Sequence, residues 1–201
     1  VLDNHVRETE RLAAAVASGA QPRPDLVVWP ENASDLDPFA SADARARIQQ
    51  AADAIGVPIL VGAVVETPGD PLHVWNVGIV WRPSTMDGGG PGAHYVKRHP
   101  VPFGEWIPFR DILTRFIQRF ERIPRDFAPG TSTGVLMVGP ARLGDLICFE
   151  VAYSELARAA VVGDGVPEPL TGLGARILSV QTNNATYGYT GQPEQQLAMS
   201  R

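Results

Sequence analysis

Two pairs of apolar runs stand too close together in this 201-residue chain for a helix to pass between their members. Ile59 to Val65 and Val74 to Trp81 flank a turn containing Pro68-Gly-Asp-Pro71, and Val135 to Val138 is followed almost at once by Arg142 to Ile147. Strands joined so briefly pair antiparallel, because a parallel crossover needs about a dozen residues or more. Elsewhere the pattern alternates between strand and helix, which is the order of an α/β fold. Asp25 to Trp29 is a further buried-strand candidate, Arg176 to Thr182 reads as another strand, and His94-Tyr-Val ends one more. The sheets must therefore be mixed, and two stacked sheets between helical layers satisfy this order.

The helical segments are marked by periodicity and caps. Leu2, Val6, Ala13 and Val16 share one face, opposite Arg7, Glu8 and Arg11. Ser41 is placed to cap a helix running to about Ile55, before Gly56-Val-Pro58 ends it. Ile107 to Phe120 carries an apolar stripe of Ile112, Leu113, Phe116, Ile117 and Phe120, and Tyr153 to Val162 reads as another helix. Gly163 to Gly174 is a breaker-rich loop, and Asp87-Gly-Gly-Gly-Pro-Gly92 is punctuation with no Lys-Ser/Thr behind it to make a phosphate loop. Val1 enters directly into helical periodicity, and Gln192 to Arg201 reads as a helix still running at the last residue. The expectation is one domain over residues 1–201, cut from a longer polypeptide and truncated at both ends.

Composition removes several functions. A formal charge of −5 argues against a nucleic-acid surface, which needs a basic face. One cysteine rules out an internal disulfide and a Cys-rich zinc site. His5, His73, His94 and His99 lack metal-ligand spacing, so neither metal nor cofactor is expected. The longest apolar stretch, Ile59 to Val65, falls far short of the roughly 20 residues that cross a bilayer.

The single cysteine carries the chemistry. Cys148 sits in Gly144-Asp-Leu-Ile-Cys-Phe-Glu150, where a buried strand ends and a thiol can be aimed. Glu31 follows Trp29-Pro30 at the end of its own strand, and the proline turns the chain out of the ladder. Lys97 closes His94-Tyr-Val-Lys, and Glu105 lies in the stiff run Pro102-Phe-Gly-Glu-Trp-Ile-Pro108. A free thiol is mostly protonated at neutral pH, and the thiolate is the nucleophile. A carboxylate is needed to take its proton, and a cation to stabilise the sulfur and the oxyanion that follows. Glu31, Lys97 and Cys148 supply those types, Glu105 would hold the ammonium, and the Phe149 N–H would add an oxyanion donor.

Four segments together resemble a known family. Trp29-Pro-Glu-Asn32, Tyr95-Val-Lys-Arg-His-Pro-Val-Pro-Phe-Gly-Glu-Trp-Ile-Pro108, Cys148-Phe-Glu-Val-Ala-Tyr153 and Thr182-Asn-Asn-Ala-Thr-Tyr-Gly188 are similar to the nitrilase-type domain of bacterial apolipoprotein N-acyltransferases. Lys-x-His with Pro-Phe-Gly-Glu occurs across carbon–nitrogen hydrolases, whereas Asn183-Asn-Ala and Gln195-Gln-Leu-Ala-Met-Ser-Arg201 favour the acyltransferase branch. The resemblance implies a nitrilase-like α-β-β-α sandwich. It also implies Glu31 as general base, Lys97 as the lysine, Cys148 as nucleophile, and Glu105 and Glu150 as supporting carboxylates. The implied reaction takes a fatty acyl chain from a glycerophospholipid onto Cys148 as a thioester. The chain then passes to the N-terminal amine of a diacylglyceryl-cysteine apolipoprotein. An apolar pocket would keep water from the thioester, with Trp29, Phe103, Trp106, Phe149 and Tyr153 as candidate lining and Asn183 beside them.

The family's transmembrane helices are absent from this segment, so membrane attachment would come from elsewhere in the polypeptide. The implied location is the bacterial cell membrane, catalytic side outward. Two other readings use the same residues: a soluble amidase or nitrilase acting on a small carbon–nitrogen substrate, and a nitrilase-like module that binds partners without turnover.

Overall fold

The computed structural model describes residues 1–110, 115, 124–185 and 190–200; the apolar stripe expected over Ile112 to Phe120 lies outside them. The elements run α1 (Leu2–Ala17), β1 (Val27–Val28), α2 (Ala42–Ile55), β2 (Ile59–Thr67), β3 (Asp70–Arg82) and β4 (Gly90–Val96). They continue with β5 (Asp126–Phe127), β6 (Val135–Val138), β7 (Ala141–Ile147), a 3₁₀ turn (Cys148–Ala152), α3 (Ser154–Val162), β8 (Ile177–Gln181) and α4 (Gln192–Met199). Ser41 caps α2 by accepting from the Ala44 N–H at 3.2 Å, and Gly56 closes it in the left-handed conformation at φ 68°.

Two mixed sheets form. The first has five strands in the order β1-β2-β3-β4, with β5 also pairing β3; the second has three, β6-β7-β8. Both expected hairpins are present: Ile59 opposes Trp81 in one, and Val135 opposes Gly144 in the other. β1 runs parallel to β2, and β8 parallel to β7.

Alternation along the strands builds the layers. Ile59, Val61, Ala63 and Val65 of β2, with Val77, Ile79 and Trp81 of β3, pack against Leu2 and Val6 of α1 and Ala44, Ile48 and Ala51 of α2. The opposite face turns Leu60, Val80 and Tyr95 toward Leu136, Val138, Leu143 and Ile147 of the second sheet. Behind that sheet, Val135 meets Ala160 of α3. Helix, sheet, sheet and helix follow one another.

Three details depart from the sequence expectation. Gly90-Pro-Gly92, read as punctuation, enters β4 and pairs with β3, Gly90 opposite Arg82 and Pro91 opposite Trp81. Ladder bonds come from the backbone, so a missing side chain does not exclude a strand. β5, a two-residue strand, was not marked by any apolar run. β1 is shorter than its apolar run because Pro30 has no N–H to give. The chain lifts away there, with Asn32 at φ 55°, and rejoins the ladder where the Ser34 N–H donates to Gly62 O at 3.0 Å.

That lifted loop carries Glu31 and rests directly on Gly62. A Cβ at Gly62 would meet Pro30 O at 2.2 Å and Glu31 Cα at 2.9 Å. Gly62→Ala is therefore expected to cost about 1–3 kcal/mol of stability and to lower the melting temperature of the purified protein. Gly191→Ala, which meets nothing within 4 Å, should stay within about 0.5 kcal/mol of wild type; equal effects of the two would refute the packing argument.

Candidate active site

Lys97 extends the alternation of β4. Like Tyr95 it faces the second sheet, and its backbone N–H donates to Asn76 O at 2.9 Å. The ammonium, with a side chain 1% exposed, lies 3.3 Å from Glu31 Oε1 and 2.9 Å from Glu105 Oε1. Asn76 Nδ2 donates to the same two oxygens at 2.8 and 3.1 Å. The remaining carboxylate oxygens are also met: Asn183 N–H reaches Glu31 Oε2 at 3.2 Å, and Val101 N–H reaches Glu105 Oε2 at 2.8 Å. Burial alone would push the Lys97 ammonium down, but Glu31 and then Glu105 hold it above its ordinary range.

Cys148 opens the 3₁₀ turn with φ 55°, a left-handed backbone that costs a non-glycine residue about 1–3 kcal/mol. Two side chains hold it there. Glu150, 0% exposed, accepts from the Ile147 N–H at 2.8 Å with one oxygen. Its other oxygen accepts from the Arg98 and His99 N–H groups at 2.7 and 3.2 Å, and the Tyr95 hydroxyl donates to both at 2.9 Å. The Cys148 turn is thereby tied to the strand end bearing Lys97. From the other side, Gln196 Nε2 donates to Cys148 O at 2.9 Å.

The Cys148 thiol is pushed up to about 12, first by burial and then by the Glu31 carboxylate, while Lys97 pulls the other way. The sulfur thus rests as a thiol lining the same cavity as the Glu31 carboxylate, to which the Lys97 ammonium is bonded. Glu31, Lys97, Glu105, Cys148 and Asn183 line one cavity of about 310 Å³, completed by Asn32, Val101, Gly104 and Phe127.

Glu31, Lys97, Glu105, Cys148 and Asn183 are therefore brought together, and Glu150 braces them from behind. The aromatic candidates stand elsewhere. Trp29 is 3% exposed in the core, its indole N–H donating to Thr9 Oγ1 at 3.0 Å and its ring against His5, so it supports Glu31 from below the cavity. Phe103, Trp106 and Phe149 are 55%, 37% and 38% exposed, outside the lining, and Tyr153 lies tilted against His99 with ring centroids 4.4 Å apart. Sequence reasoning missed Asn76 and Gln196. Asn76 had a signal, a polar residue on the inward register of an apolar run; Gln196 had none local to it.

The paired mixed sheets between helices, with the strand ends converging on one cavity, are the fold of the nitrilase superfamily. The carbon–nitrogen hydrolase family model matches residues 4–201, and the chain belongs to that family. It is 41% identical, over its whole length, to an apolipoprotein N-acyltransferase of Mycolicibacterium smegmatis, of which it covers 32%. It is 33% identical to that of Geobacter metallireducens, with 95% of this chain and 34% of that protein aligned. The chain thus spans about a third of the length of these relatives. Among solved structures, a carbon–nitrogen hydrolase from Helicobacter pylori G27 aligns with a TM-score of 0.59 at 19% identity, over 99% of this chain and 62% of that one. An amidase from Nesterenkonia AN1 aligns at 0.58 and 20%, over 100% and 66%. At such identities the structures speak for the fold alone.

A thiol titrating near 12 predicts a distinctive reactivity. Without substrate, alkylation of Cys148 by iodoacetamide, followed by peptide mass spectrometry, should be slow at neutrality and still rising at about pH 10. A plateau reached near pH 7 would reveal a preformed thiolate and refute the resting state described above.

Proposed function

We propose that this chain is the catalytic domain of a bacterial membrane acyltransferase that completes lipoprotein maturation. Residues 1–201 form one incomplete carbon–nitrogen hydrolase domain in this reading, on the extracytoplasmic face. No helix among the described residues is long and apolar enough to cross a membrane, so attachment falls to other parts of the polypeptide. The observation that carries the reading is a buried thiol on the same cavity wall as Glu31, beside an ammonium held by Glu31 and Glu105. The relatives' shared name, apolipoprotein N-acyltransferase, directs that chemistry to its substrates.

In the first half-reaction Glu31 takes the Cys148 proton as sulfur attacks the ester carbonyl of a glycerophospholipid. The oxyanion is met by the Lys97 ammonium and the Phe149 N–H. Collapse expels the glycerol oxygen, which leaves with the proton from Glu31 as lysophospholipid. In the second, the α-amine of a diacylglyceryl-cysteine apolipoprotein attacks the thioester. Glu31 takes a proton from nitrogen, and the departing sulfur recovers it. The cavity of about 310 Å³ is at the lower end for small-molecule sites. It suits the reacting carbonyl, while the acyl chain leaves past the exposed rings of Phe103 and Phe149.

Mass spectrometry of the full-length protein after incubation with phospholipid tests this directly. A Cys148 peptide heavier by one acyl chain, discharged by a diacylglyceryl-cysteine peptide with a free amine, is the expected result. Cys148→Ala should abolish the adduct, and Glu31→Gln should slow its formation by about 10²–10⁴-fold. Release of ammonia from small amides with no phospholipid adduct would make the protein an amidase. Neither activity would leave it a binding module.

A further inference from the structure

Behind the cavity, between the sheets, lie two polar side chains that the proposed reaction does not use. Asp145 of β7 and Gln181 of β8 are 0% and 1% exposed. Asp145 pairs with Ser179 in the ladder, so Gln181, two residues on, is its diagonal neighbour on the same sheet face. Gln181 donates through Nε2 to Trp29 O at 2.6 Å. Its Oε1 receives no hydrogen bond, and neither does either oxygen of Asp145. These oxygens converge: a side chain on Gly78 of β3 would find Asp145 Oδ2 at 2.1 Å and Gln181 Oε1 at 2.7 Å.

Buried acceptors facing one another with no donor between them are untenable for an ionised carboxylate. The ionisable groups acting on Asp145 are Glu150, on the turn that follows it, and Tyr95 of β4, and neither supplies a positive charge. Burial first, and Glu150 second, hold the Asp145 carboxyl well above the usual range. A proton on Asp145 converts one of the orphaned acceptors into a donor, and the nearby amide oxygen of Gln181 is its acceptor.

We propose that Asp145 is a neutral acid whose O–H donates to Gln181 Oε1, and that this clasp is a positioning device for the Glu31–Cys148 pair. Gln181 is held at its oxygen by the strand that delivers Cys148. Through its nitrogen it holds the Trp29 carbonyl, the last main-chain group before Pro30 carries Glu31 out of β1. Two residues beyond Gln181, the Asn183 N–H grips Glu31 itself. The clasp therefore sets where the base stands relative to the sulfur. The inference rests on the acyl-transfer reading for its consequence, but not for its chemistry.

The test uses the full-length protein with carboxyl-¹³C aspartate. Isotope-edited infrared spectra at about pH 8, where an ordinary aspartate is fully ionised, should show a protonated-carboxyl band that disappears in Asp145→Asn. Absence of that band overturns the proposal whatever the enzyme does, so its failure is distinct from failure of the acyltransferase reading. Asp145→Asn keeps a donor for Gln181 and should retain thioester formation within about threefold, whereas Asp145→Ala and Gln181→Leu should lower kcat on the order of tenfold to a hundredfold with KM little changed. If Asp145→Asn loses as much as Gln181→Leu, the donor role is overturned. The band and these two variants decide the matter even where Asp145→Ala fails to fold.

Discussion

An ammonium almost wholly removed from water, pinned between two carboxylates, is the interaction around which this molecule is arranged. Lys97 would be expelled or neutralised at such a depth without Glu31 and Glu105. Each carboxylate in turn needs its remaining lone pairs met, which Asn76 and the main-chain N–H groups of Val101 and Asn183 accomplish. Those donors come from β3, from the turn after β4 and from the segment after β8. The cluster therefore cannot form until both sheets are stacked, and a feature of the site becomes a condition on the fold.

The same cluster explains why the sulfur rests protonated. Two carboxylates around one ammonium leave an excess of negative charge, and a thiolate in the same low-dielectric space would add to it. The proton stays on sulfur. In the proposed attack that proton passes to Glu31, and the cluster's total charge is unchanged by the transfer. Charge then migrates toward the carbonyl oxygen, beside Lys97, where a fixed cation costs nothing to reorganise. Glu150 contributes differently. It touches no lining residue's functional group except through the backbone, yet it fixes the left-handed Cys148 turn against the strand end that presents Lys97. Burial and the adjoining Glu150 carboxylate push the Tyr95 phenol upward, so it remains a donor to that anchor.

Much of this was legible in the sequence because it depends on local rules. Short connections forced hairpins and hence mixed sheets, and Ser41 and Gly56 marked both ends of α2. The proline of Trp29-Pro-Glu31 announced a carboxylate leaving a ladder, and the family-like segments brought Glu31, Lys97, Glu105 and Cys148 into one hypothesis. What escaped depends on long-range pairing. Gln196 meets the Cys148 carbonyl across 48 residues of chain, and nothing in its own helix betrays that duty. Trp29 was read, with the other aromatics, as candidate pocket lining. Alternation sends it the other way, into the helix-facing core, since its neighbour Glu31 reaches the cavity only after Pro30 has lifted the chain.

The inner faces of the sheets carry a further lesson in how burial and chemistry are partitioned. Toward one side, alternation fills the space with Leu60, Val80, Leu136, Val138 and Leu143, as a dry interface requires. Toward the side where β1, β4, β7 and β8 end, the same register delivers Asn76, Lys97, Asp145 and Gln181, all between 0% and 1% exposed. Polar groups at this depth cost stability unless satisfied, and random placement would scatter them. Their confinement to one end of the stacked sheets means that each exception to the apolar pattern lies within reach of another. Gly78 belongs to this set although it has no side chain: its missing Cβ is the space in which Asp145 and Gln181 meet. A site of this kind is thus written as correlated violations of a packing rule, and each violation is tolerable only because the others are present.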